Sequence, residues 1–244
     1  MAVELRSVGV SPGANSTSCV VVKPVGLTVG GLMIAHIYFR EHGSDDGQIG
    51  SPANWTLIRQ DSYDGATFTS ALFWKIADAG DVAASNFTFT GETGSNIGAI
   101  SAWETGTFDA DTPINANNGQ ANGSGYTVTA PTITPSVANC MILMLVGASN
   151  NLSSSGYAIA TSDPGGWAEA YDIKTTEGSD SAVALGYVER PETSATGNGT
   201  ASTSPTYSYP IGQLVAISPL SSSNYRIADK SASMGAKMIG HKMI

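Results

Sequence analysis

The chain has 244 residues, 28 of them glycine, and its 11 Lys+Arg against 20 Asp+Glu give a net charge of −9. The length suits one large domain or two small ones, and an apolar fraction of 41% is enough to fill a core, which excludes wholesale disorder. The acidic balance argues against general nucleic-acid binding, two cysteines exclude a disulfide scaffold or a Cys-rich zinc module, and no apolar run approaches the ~18 residues of a membrane-spanning helix. The opening residues Met1-Ala2-Val3-Glu4-Leu5-Arg6 carry no basic region followed by an apolar stretch, so no signal peptide is expected.

Short runs rich in Val, Ile, Thr, Tyr, Phe and Trp alternate with Gly, Ser, Asn, Asp and Pro, which is strand-and-turn patterning. In chain order the expected strands are Ser18–Lys23, Leu32–Phe39, Trp55–Asp61, Thr67–Ala77, Asn86–Thr90 and Ile97–Trp103. Then come Tyr126–Thr129, Cys140–Val146, Trp167–Ile173, Ala182–Glu189 and Ile211–Ser218. Leu32–Phe39 and Cys140–Val146 are almost continuously apolar, as in strands covered on both faces.

These strands repeat. Leu32–Phe39 aligns with Met141–Ala148, the turn and tryptophan at 52–55 with those at 164–167, 71–75 with 184–188, and 97–102 with 211–216. The offsets are 109, 112, 113 and 114 residues, rising as loop insertions would make them rise. The expected fold is therefore all-β: a jelly-roll-like sandwich of about eight strands built from two repeats. The divisions are an N-terminal arm or first strand (1–26), a sandwich domain (27–220, with halves at about 27–108 and 126–219) and a C-terminal tail (221–244). The tail holds Arg226, Lys230, Lys237 and Lys242 against Asp229 alone, +3, whereas residues 1–220 hold 7 basic and 19 acidic residues, −12. A basic, Met-bearing tail on an acidic body reads as a docking segment.

No catalytic constellation stands out. Of the three histidines, His36 interrupts an apolar strand and reads as a packed or edge residue, His42 lies in an acidic loop, and His241 is in the tail. No nucleophile elbow, paired strand carboxylates or phosphate loop is found. Most aspartates, Asp61 and Asp81 among them, read as solvated loop residues. The Glu41–Asp46 loop offers oxygen ligands, but no glutamate closes it as in an EF-hand. Cys19 and Cys140 read as buried thiols, and Trp55 and Trp167, at equivalent places in the repeats, as packing residues. Neither a cofactor, a metal nor a catalytic residue is expected.

The blocks Gly30-Gly31-Leu32-Met33-Ile34-Ala35, Pro52-Ala53-Asn54-Trp55-Thr56-Leu57-Ile58 and Leu72-Phe73-Trp74-Lys75-Ile76-Ala77, with Ala99–Ala102 and Leu214–Pro219, resemble structural proteins of tailed-phage virions over residues 27–219. The resemblance implies a β-sandwich virion component and carries over no active-site residue. The expected function is that of a capsid decoration (cement) protein, a homotrimer bound to the major capsid protein on the virion surface. It is not an enzyme and has neither nucleic-acid nor membrane partners. Its contacts are assigned to Tyr225, Arg226, Met234, Lys237, Met238 and Lys242. The alternative is a glycan-binding module of a tail or fibre, with its site near Glu41–Asp46 and Asp109–Asn118.

Overall fold

The computed structural model describes residues 2–41, 48–63, 67–150 and 153–221. The first half comprises β1 (Leu5–Val10), β2 (Ala14–Val22), β3 (Leu32–Glu41), β4 (Thr56–Tyr63), β5 (Phe68–Ile76), a one-turn helix α1 (Ala79–Ala83) and β6 (Asn86–Trp103). The second comprises β7 (Ile114–Ala121), β8 (Gly125–Ala130), β9 (Cys140–Ser149), β10 (Ser153–Ile159), β11 (Ala168–Thr175), β12 (Ser181–Arg190) and β13 (Gly199–Ile217). The fold is all-β and antiparallel throughout the strand pairs, in two packed sheets of order β1-β6-β3-β5-β4 and β10-β13-β9-β12-β11. β2 pairs with β6, and β7 and β8 with β13.

The two halves repeat one topology, down to single-residue irregularities. In β4 the register slips between Leu57, opposite Phe73, and Arg59, opposite Leu72. In β11 it slips between Glu169, opposite Gly186, and Tyr171, opposite Leu185. These bulges sit at positions 112 residues apart, the offset the sequence assigns to this block. β1 slips between Leu5 and Ser7 against β6, and β7 slips at the matching place against Ala216 and Ile217 of β13. A bulge turns the strand and re-aims its side chains, so two matching pairs of bulges mark a shared architecture.

The repeat is longer than its sequence signal. Residues 1–26, expected as an arm or first strand, form β1 and β2, and both pair with β6. The segment left between the expected halves, 109–125, contains β7. Among the described residues thirteen strands thus stand where about eight were expected. Asn86–Thr90 and Ile97–Trp103 belong to a single 18-residue strand, β6. The polar strand β7 (INANNGQA) was hidden because it lacks alternation.

Alternation along the central strands builds three cores. Leu32, Ile34 and Tyr38 of β3 face Leu143 and Leu145 of β9 in the core between the halves, with Trp103 at 0% exposure. The intervening Met33, Ala35, Ile37 and Phe39 pack under β2 and the first part of β6, on Cys19, Val21, Phe87 and Phe89. In the second half Ile142, Met144, Val146 and Ala148 pack in the same way on Val128, Ala130, Tyr157 and Ala201. Each half is a small sandwich made by its long strand folding over its own sheet, and the halves stack through their inner sheets. This is why β3 and β9 read as continuous apolar runs: both faces are covered.

Candidate functional site

The most chemically rich cluster lies between the halves. His36 (β3) is fully buried, with Nδ1 3.2 Å from the Tyr171 hydroxyl and Nε2 3.0 Å from Ser70 Oγ. Ser70 donates to Gln213 Oε1 at 3.0 Å, and Gln213 Nε2 donates to Asp61 Oδ2 at 2.7 Å. Arg59 closes the chain, giving Nε to Asp61 Oδ2 at 2.6 Å and Nη2 to Oδ1 at 2.5 Å, then reaching Gly119 O and Asn117 Oδ1 of β7 at 3.1 Å each.

The direction of every bond follows from donor counting. Ser70 spends its one proton on Gln213, so it accepts from His36 Nε2–H. Nδ1 is then an acceptor and takes the Tyr171 hydroxyl proton. Burial pushes the His36 pKa down to about 3, which keeps this neutral tautomer. A serine beside a histidine is the start of a nucleophilic constellation, but here both are 0% exposed, and the serine proton points to an amide and away from the histidine. The cluster holds the halves together.

His36 is thus the packed histidine its sequence context implies. Asp61, expected in solvent, is instead in β4 with its side chain 13% exposed and paired with Arg59. Asp81, also expected in solvent, is buried. It caps α1 reciprocally with Asp78 and pairs with Lys75 Nζ at 2.7 Å. Arg59 and Asp61 carry a readable signal, since residues two apart in a strand share a face. Ser70 and Gln213 signal themselves only as polar breaks in apolar runs.

Cys19 and Cys140 are buried and free, and burial pushes their thiols up to about 12 and about 11. Trp55 packs edge-on against Phe87 and Phe89, each at 5.5 Å. Trp167 stacks on Tyr157 at 6.2 Å. Both do the packing expected of them.

One pole of the body gathers both ends of the described residues and the connector between the halves. Glu4 N–H donates to Thr107 Oγ1 at 3.3 Å, Leu220 N–H donates to Thr107 O at 3.0 Å, and Phe108 bridges to Pro219. Beside them opens a groove of about 410 Å³, lined by Asp109, Asn115, Val137, Asn139, Pro219 and Leu220 among others. Its floor is polar: Asn115 bonds Ser136 and Ser218. Val10 of β1, Val20 and Val22 of β2, and Val25 and Val29 in the segment before β3 are exposed, Val25 at 80%.

The expected contact residues Tyr225, Arg226, Met234, Lys237, Met238 and Lys242 lie outside the described residues, as does most of the Glu41–Asp46 loop. Asp109–Asn118, the other half of the alternative glycan site, is at the connector pole and in β7. No protein family, curated protein or solved structure matches the chain.

Proposed function

We propose that the protein is a decoration protein of a phage capsid. It would bind the outside of the shell of major capsid protein as a homotrimer and raise the cost of separating capsomers. The observation that carries this reading is the polar arrangement of the molecule. In sequence a −12 body is followed by a +3 segment, and the last described residues of the body lie at Thr107, beside Glu4 and the connector. A cement protein needs a rigid knob with one attachment end. The three cores supply the rigidity, and the pole with its groove supplies an end. Many copies make modest single contacts sufficient.

The test is cosedimentation with undecorated shells of the phage, using the full chain and a chain ending at Ser221, with light scattering for oligomeric state. Stoichiometric binding by the full trimer and weak binding by the shortened chain support the reading. If neither binds shells and the full chain binds glycans on an array, the tail or fibre module replaces it.

A further inference from the structure

We propose that Glu169, Asp172, Ser154 and Thr203 form a calcium site in the second half, between β11 and the β10–β13 layer. The bulge of β11 makes it. Residues three apart in a regular strand point to opposite faces. Because the register slips at Ala170, Glu169 stands opposite Gly186 and Asp172 opposite Ala184, so both carboxylates project on one side. That side is the face of Ala184, turned toward the core of the second half. From the facing layer come Ser154 and Thr203, which are opposite each other and share the inward face of Ala201.

Three oxygens here have no hydrogen-bond partner among the described residues: Asp172 Oδ1, Ser154 Oγ and Thr203 Oγ1. Ser154 and Thr203 are 4% and 5% exposed. Leaving such groups unpaired in a protein interior is costly. Asp172 Oδ2 already accepts the Ser154 N–H at 3.1 Å, and the Tyr157 hydroxyl donates to Glu169 Oε2 at 3.4 Å. Lys174 lies exposed on the solvent side, 3.5 Å from Ser153 Oγ.

The first half is an internal control. There Gln60 holds the position of Asp172, and its Oε1 accepts the Ile49 N–H at 3.0 Å. That is the same task, done for the matching segment after β3. Leu57 holds the position of Glu169. The backbone therefore needs only a neutral acceptor at this place, and the two charges of the second half are surplus to folding. Calcium takes six to eight hard oxygen ligands in flexible geometry. Both carboxylates, the two hydroxyls and water supply such a set.

The test is thermal unfolding of the full chain in CaCl₂, MgCl₂ or chelator, with terbium luminescence as a second readout, since Tyr157 and Trp167 stand beside the site as sensitisers. Calcium at about ten times its dissociation constant is expected to raise the Tm by about 3–6 °C, with magnesium doing less. Asp172→Asn, which keeps the acceptor for Ser154 as Gln60 does for Ile49, and Glu169→Gln should each abolish both the shift and the sensitised terbium signal. No Tm shift and no terbium signal in the unaltered chain would overturn the proposal. So would signals that persist in both variants, which would place the ion elsewhere.

Discussion

Arg59 and Tyr171 occupy the same position of the two halves, each just past the bulge of its edge strand, and each reaches into the opposite half. Arg59 binds Asp61 and extends to Asn117 and Gly119 of β7. Tyr171 crosses to His36 of β3. The shared geometry comes from the repeat, and the different chemistry makes the interface directional. Where the network has Ser70, Asp61 and Gln213, the repeat-related positions are Val183, Ile173 and Ala99, part of or packed against the apolar core between the halves. A buried polar chain on one side of a pseudo-twofold axis penalises every misregistered stacking of the halves, because each slip would strand several polar groups.

Gln213→Leu is expected to destabilise the fold by about 1–3 kcal/mol, since it leaves the Ser70 hydroxyl without its acceptor and leaves Asp61 with Arg59 as its remaining donor. Urea denaturation measures it, with the midpoint falling and the slope unchanged. A loss below about 0.5 kcal/mol would mean the network does not hold the halves.

The network also sets a pH dependence. His36 titrates at about 6.5 in an unfolded chain and at about 3 in the fold. Below pH 6.5 the unfolded state therefore binds the extra proton, and stability falls by up to ~1.4 kcal/mol per pH unit down to about pH 3. Glu169 and Asp172, with raised pKa values, act in the opposite sense: their contribution is present at acid pH and is lost as pH rises through their folded values. The His36 share is isolated by His36→Gln. This variant should be less stable than the unaltered protein at pH 7.5, and the gap should close as pH falls from 6.5 to 4.5. A gap constant over that range would contradict a neutral buried histidine.

Gly186 is bare because Tyr157 lies on it: a Cβ there would stand 2.3 Å from Tyr157 Cγ and 2.4 Å from Cδ2. Its counterpart in the first half is Phe73, which supplies its own ring to Phe89 at 5.5 Å. Gly186→Ala is expected to cost about 1–3 kcal/mol through overpacking. Combined with Tyr157→Ala it should cost less than the sum of the single changes, because the clash goes with the ring. Additive losses in the double-mutant cycle would remove Tyr157 as the reason for the glycine.

The sequence displays the architecture well where packing dictates residue type. Cys140–Val146 is apolar at every step, and Leu32–Phe39 at every step but His36, because two cores cover them. The offsets of 109, 112, 113 and 114 survive as matching registers and bulges. What stays hidden is whatever packing does not dictate. β7 is half-exposed and polar, so its pairing with β13 depends on backbone bonds that leave no pattern. The network residues come from β3, β4, β5, β11 and β13, and only the stacking of the halves brings them together. The Glu169–Asp172 pair looks like two faces of a strand until the bulge is known.

The central claim is that the protein strengthens a capsid, and the most direct measurement is the temperature at which shells rupture with and without it. Undecorated shells saturated with the full chain should rupture several degrees higher than bare shells, and shells treated with the chain ending at Ser221 should rupture with the bare ones. Equal rupture temperatures for bare shells and shells saturated with the full chain would contradict the account.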